Sequence, residues 1–180
     1  LAANGTAAVA FINTAIAGAT AMMTWMLLAW RKDGHPSIVE AMTGAVAGLA
    51  TVTPAAGFVA PWAAALIGVA AGVVCRLAIR FRRRMNWDDA LDVWGVHGVG
   101  GMLGSVLVGI FAQSSFGGVN GLIAGNPRQF LIQLLAVAVV ATYSFAVTFV
   151  LLKVIHGFVP VNVSKEEEIA GLDGIFQEEA

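Results

Sequence analysis

The sequence predicts an all-α integral membrane protein with five transmembrane helices. Of its 180 residues, 58% are hydrophobic and 12% charged, against about 25% charged in an average soluble domain; mean hydropathy is +0.82. The apolar residues fall in runs long enough to cross a hydrocarbon core, which takes about 20 residues as helix. The basic residues alternate between connecting segments: Arg31 and Lys32 follow the first run, Arg80, Arg82, Arg83 and Arg84 follow the third, and the other connections carry only Arg128. A net charge of −1 leaves no basic field to attract nucleic acid.

The five helices are expected over residues 7–30, 36–55, 61–79, 89–113 and 127–156, with a tail from 159 to 180. Pro36, Pro61 and Pro127 stand at predicted first helical positions, where the missing N–H costs no intrahelical bond. Asp88 and Asp89 put negative charge at the start of the fourth helix, where the macrodipole favours it. Residues 50–57, Ala-Thr-Val-Thr-Pro-Ala-Ala-Gly, either end the second helix plainly or break it as irregular backbone lining a cavity. By the positive-inside rule the arginine-bearing connections are cytoplasmic. The first helix then starts outside and the tail is cytoplasmic. Residues 1–158 form the transmembrane domain in this reading. The opening Leu1-Ala2-Ala3-Asn4-Gly5 reads as the interior of a longer chain.

Small residues recur at four-residue spacing, at Gly44/Gly48, Gly68/Gly72, Gly100/Gly104 and Gly101/Ser105/Gly109. That spacing lets helices approach closely in lipid, where no hydrophobic effect drives them together. The lone Cys75 reads as a small buried hydrophobe. The basic cluster Arg80–Arg84 reads first as a topological signal, with contact to anionic lipid or a partner as a lesser addition.

No Walker loop, zinc-binding cysteine pairs, His-Glu-x-x-His or haem-attachment motif occurs, so neither an enzyme, a metal centre nor a cofactor is expected. His35 lies in a connecting loop and His156 at the end of the last helix, where a cation suits the dipole. His97 has no such account. It sits in Asp92-Val93-Trp94-Gly95-Val96-His97-Gly98-Val99-Gly100-Gly101, amid apolar residues. An ionisable group at mid-membrane is a functional candidate by default, because a charge there costs about 2.5–3.5 kcal/mol or more. A neutral imidazole has one donor and one acceptor, which suits it to relay a proton along a pore. The plain alternative is a core histidine bonded to a neighbouring helix. Val93, one helical turn earlier, is expected to line whatever His97 faces. Asp92 is expected near the first turn of that helix, in a capping or helix-packing role. Ser164 and Glu167 have the spacing of a capping box for a short acidic helix in the tail.

These residues resemble the ammonium transporter family (Amt/Mep/Rh). Asp88-Asp89-x-x-Asp92-Val93-Trp94-Gly95-Val96-His97-Gly98-Val99-Gly100-Gly101 is similar to its signature around the second of two pore histidines. Gly48-Leu49-Ala50-Thr51-Val52-Thr53-Pro54-Ala55-Ala56-Gly57 resembles a second signature. Ala2-Ala3-Asn4 and Phe11-Ile12-Asn13-Thr14 resemble the approach to the seventh helix. Glu166-Glu167-Glu168-x-x-Gly171-Leu172-Asp173 resembles the cytoplasmic regulatory tail. The resemblance implies the last five of eleven helices, that is, the second of two inverted repeats plus the final helix. Inverted repeats place a substrate path at their interface.

The resemblance further implies ammonium/ammonia as substrate, with His97 and Val93 on the pore and a partner histidine in the first repeat. It implies a homotrimer in the cell membrane, with Glu166, Glu167, Gly171, Leu172 and Asp173 in a regulatory tail open to PII-type signalling proteins. The tail departs from the family pattern after Asp173, where Gly174-Ile175-Phe176 stands in place of the usual His-Gly-Glu. An ammonium sensor of the same fold is the main alternative. A membrane haem protein with His97 as axial ligand, and a purely structural bundle, are the others.

Overall fold

The computed structural model describes residues 3–164, 169 and 171, and every regular element among them is helical. Helix α1 (Gly5–Asp33) starts where the Asn4 side chain accepts the Ala7 N–H at 3.0 Å. It ends at Gly34, whose φ of +78° is left-handed and whose N–H returns to the Trp30 carbonyl at 2.9 Å. A Cβ disfavours that conformation, so glycine terminates the helix. The caps lie outside the apolar run, which is why α1 is longer than residues 7–30.

Helix α2 (Ile38–Val52) is capped by Ser37, which accepts the Glu40 N–H at 3.4 Å. Pro36 therefore precedes the cap and is not the first helical residue. The helix ends at Val52, three residues before the predicted Ala55. Pro54 has no N–H to continue the ladder, so the helical hydrogen bonding stops although Thr53 keeps helical backbone, with φ −48° and ψ −48°. Turns fill residues 53–59 instead. Helix α3 (Pro61–Arg84) does begin with proline and runs beyond residue 79. Arg80, Arg82, Arg83 and Arg84 thus sit in its final turns and not in a loop, where the dipole favours cations.

The fourth predicted helix is two structures in series, a π-helical segment Trp94–Val99 followed by α4 (Gly100–Phe111). A short α5 (Ser114–Gly117) precedes α6 (Pro127–His156). Among the described residues, four stretches are apolar and long enough to cross a membrane: Gly5–Lys32, Pro61–Arg84, Trp94–Phe111 and Pro127–His156. At 15 residues α2 is shorter, about 22 Å at 1.5 Å per residue. The protein is a multi-pass, all-α membrane protein.

The chain divides into two units, residues 1–137 and 138–180, the boundary falling inside α6. In the first unit α1 packs along both α2 and α3. The contacts are between small residues: a Cβ on Gly48 would stand 2.4 Å from the Ala17 carbonyl oxygen, and one on Gly68 would meet the same oxygen at 2.4 Å. One point of α1 is thus gripped from both sides. Asn13, fully buried in α1, donates through Nδ2 to the carbonyls of Ala56 and Val59, both at 2.8 Å. This amide fastens the turn after α2. In the second unit the remainder of α6 stacks Phe145 on Phe149 at 6.2 Å, with the Lys153 ammonium 5.7 Å from the Phe149 ring centre.

Candidate functional site

The segment carrying His97 is positioned from three directions. At its start, the two Asp89 carboxylate oxygens accept the Val93 and Trp94 N–H groups at 2.9 and 2.8 Å. Asp89, not Asp92, supplies the side-chain cap. Asp92 lies just outside the helix with φ +54°, a left-handed conformation that Asp and Asn tolerate better than other side-chain-bearing residues. There its carboxylate pairs with Arg83 at 2.9 Å and, more closely, with Arg82. Arg82 also donates to the Trp87 carbonyl at 3.1 Å. The result is a staple between the end of α3 and the start of the histidine segment. Beside it, Phe81, Trp87 and Trp94 cluster with ring centres 5.4–6.4 Å apart, as aromatic residues do at a membrane–water interface.

The second direction is α3, and the third α2. A Cβ on Gly95 would meet Ile79 Cγ1 at 2.5 Å, and one on Gly100 would meet Thr51 Oγ1 at 2.8 Å and Cys75 Sγ at 3.3 Å. Both glycines therefore face α3, and Gly100 faces α2 as well. Five residues of α-helix turn through 500°, leaving two such positions about 140° apart. The wider i→i+5 turn of the π-helix brings them towards one face. Gly104 continues the contact, its added Cβ falling 1.8 Å from the Thr51 carbonyl oxygen. Of the five glycines between 95 and 104, only Gly98 and Gly101 meet no tight neighbour.

With the glycines turned inward, His97 faces out. It is exposed, and its imidazole makes no hydrogen bond among the described residues. It sits on a groove of about 340 Å³ whose other walls include Val39, Met42 and Val46 of α2 with Leu91 and Val96. The expected burial of His97 is thus absent within this chain. Val93 is exposed as well, but lies outside the walls of that groove.

The other histidines are elsewhere. His35 is exposed in the α1–α2 connection, and His156 Nδ1 accepts the Val161 N–H at 3.4 Å. Cys75 is buried 3.9 Å from Thr51 Oγ1. Among the described residues no group of three or more His, Cys, Asp or Glu is placed to hold a metal. In the tail, Glu166, Glu167, Leu172, Asp173 and the Ser164–Glu167 capping box fall wholly or partly outside the described residues. Gly171 is described, with φ +89°.

Two positioning features escaped the sequence reading. The π turn leaves no trace in an apolar period, although the Gly95–Gly100 interval of five was visible. Asn13 did have a signal, as a lone amide deep in a 29-residue apolar helix.

The helices and the histidine groove define a class: polytopic membrane proteins that bring an ionisable side chain to an apolar helical wall. Comparison with known proteins makes this specific. The family model described as Ammonium Transporter Family matches residues 1–180. The chain is 46% identical to ammonium transporter Amt1 of Archaeoglobus fulgidus over 173 residues, covering 96% of this chain and 44% of that protein. It is 40% identical to an ammonium transporter of Bacillus subtilis, with 94% and 43% covered. The structure resembles Candida albicans Mep2 with a TM-score of 0.83 at 33% identity, over 90% of this chain and 38% of that one. It also resembles a protein described as a sensor Amt protein, with a TM-score of 0.84 at 27% identity over 94% and 42%. This chain belongs to the ammonium transporter family, and it spans less than half the length of these relatives.

Proposed function

We propose that this chain supplies one wall of a pore that passes ammonium as neutral ammonia, with His97 as the polar contact on that wall. The observation that carries the reading is the outward-facing His97 on a π-helical turn beside an apolar groove. A naked cation in such a path loses its hydration without compensation, whereas a neutral amine costs far less to desolvate. An imidazole then offers ammonia one donor and one acceptor and can pass on a proton. In this reading the opposite wall, with the second histidine of the pair, comes from the other half of the protein. In this reading the pore lies in the cell membrane and residues 159–180 form a cytoplasmic tail, a topology that the basic ends of α1 and α3 support under the positive-inside rule.

The test is His97→Ala in the full-length protein reconstituted in a planar bilayer. Loss of the ammonium-dependent current, or of discrimination against K⁺, is the expected result. Unchanged current with unchanged selectivity removes the role assigned to His97. The sensor reading draws support from the fold shared with the sensor Amt protein. It predicts ammonium binding by the wild-type protein with no current at all. Assembly as a homotrimer and contact with PII-type proteins through Glu166, Glu167, Gly171, Leu172 and Asp173 follow from the family resemblance. The mass of the intact complex and its pull-down of a PII protein test them separately.

A further inference from the structure

Arg76 places a guanidinium within a membrane-spanning helix, about 12 Å before the end of α3. It is only 5% exposed. A charged group at such a place is costly unless paired. Its partner is Glu40 of α2, whose two carboxylate oxygens accept from Arg76 Nη2 at 3.2 and 3.4 Å. Glu40 follows the N-cap Ser37 at the spacing of a capping box, and its N–H donates to the Ser37 hydroxyl at 3.4 Å. In a full box the glutamate carboxylate returns to the N-cap N–H. Here it leaves its own helix for Arg76, so α2 gives up a local bond for one between helices.

The pair sits where α2 has little other support. Ile38, Val39 and Met42 are exposed, and the close glycine contacts of α2 begin only at Gly44, where a Cβ would meet Trp25 Cβ at 2.6 Å. Val39, Met42 and Val46 are the α2 wall of the groove beside His97, and Leu91 stands with His97 on the other wall. That second wall is also tied to α3, through Asp92 and its partners Arg82 and Arg83. One helix thus holds both walls by ion pairs. Apolar side chains in place of a buried ion pair are often as stable. Stability alone therefore gives no reason for a guanidinium here, whereas a fixed spacing of the two walls does. We propose that Arg76 and Glu40 are positioning residues that set the width of the groove beside His97. Resting on the reading of that groove as the ammonia path, they also set the size of amine that passes.

The experiment uses the full-length protein in proteoliposomes, with two readouts. Fluxes of ammonium and methylammonium give the discrimination against one added methyl, which a fitted apolar wall rejects by about 10–200-fold. Labelling of His97→Cys by a bulky thiol reagent, in a Cys75→Ala background, reads the width of the groove without transport. Arg76→Met with Glu40→Gln removes the pair and leaves no buried charge. It should speed labelling about tenfold, the weight of one charge-assisted hydrogen bond, and cut the discrimination about fivefold. One nitrogen of Arg76 makes both contacts, so Arg76→Lys can keep them and should stay within about threefold of wild type. Arg84→Gln, an exposed cation at the end of the same helix, should also stay within about threefold. If the double variant does not fold, Glu40→Asp, which keeps the charge but shortens its reach, should shift both readouts the same way by about threefold. Unchanged labelling in folded variants, with both fluxes lowered in proportion, assigns the pair to stability and overturns the inference. So does an Arg84→Gln effect as large as theirs. Faster labelling with unchanged discrimination upholds the pair's hold on the groove and counts instead against the groove as the ammonia path.

Discussion

Gly104→Ala tests whether the histidine segment is placed by glycine contacts. The added Cβ would lie 1.8 Å from the Thr51 carbonyl oxygen and 2.9 Å from its carbon. Reaching ordinary van der Waals separation requires the two backbones to part by roughly 1.5 Å. The obstacle is main chain at the end of α2, held by Pro54 on one side and by the Asn13-bound turn on the other, so it cannot swing aside. Overpacking of this kind costs about 3 kcal/mol or more. Alanine returns about 1 kcal/mol of helix propensity over glycine, leaving a net loss of about 2 kcal/mol. Gly18→Ala is the matched control. Its Cβ would meet Leu49 Cδ2 at 2.9 Å, the end of a half-exposed side chain that can rotate for about 0.5–1.5 kcal/mol. The propensity gain offsets that cost, so its stability should remain near wild type. Both variants are made in the full-length protein and followed by denaturant unfolding in detergent and by ammonium flux into proteoliposomes. Gly104→Ala should unfold earlier and lose flux, because parting α4 from α2 also opens the groove beside His97. If the two variants match in both measurements, glycine packing is not what positions this segment.

Other substitutions probe the remaining supports. Asn13→Ala removes two buried hydrogen bonds and should lower unfolding stability by about 2–4 kcal/mol; a wild-type unfolding curve would show that the turn after α2 holds without it. Asp89→Ala should cost about 1 kcal/mol and speed hydrogen exchange at the Val93 and Trp94 amides, whereas Asp89→Asn, which keeps one acceptor oxygen, should still protect one of the two. Equal exchange in both variants would mean the carboxylate does not cap. Asp92→Asn keeps the left-handed backbone but loses the charge paired with Arg82 and Arg83. It should lose about 1–2 kcal/mol at low salt, and the deficit should shrink as salt rises. A deficit that does not depend on salt would point to packing.

The helices were legible in the sequence because lipid imposes long apolar runs and concentrates cations on one side. Their ends were less so. Pro36 looked like a first helical residue, yet a serine one position later makes a better N-cap, since its oxygen replaces a backbone partner that proline cannot. The second helix stopped where Pro54 removes a donor, while its apolar pattern carried on through Ala55 and Ala56. Asp92 was expected in the first helical turn by spacing alone. Its left-handed backbone and its arginine partners nine and ten residues back depend on how α3 meets the next segment, and no local pattern records that.

His97 shows a different limit. Its neighbours in sequence are apolar, which argued for burial, but a side chain's surroundings are set by the face it occupies. Gly95 and Gly100 take the face against α3 and α2, and the π turn that aligns them sends the imidazole outward. If lipid covered that face, a protonated His97 would meet the full cost of a charge in hydrocarbon, about 2.5–3.5 kcal/mol or more. Even the neutral ring would have one donor and one acceptor without partners. Another polar surface, as in the proposed pore, removes both penalties. An accessibility measurement on the full-length protein distinguishes the two environments. His97→Cys should react with a small water-soluble thiol reagent in a Cys75→Ala background if it faces a pore, and should resist that reagent if it faces lipid.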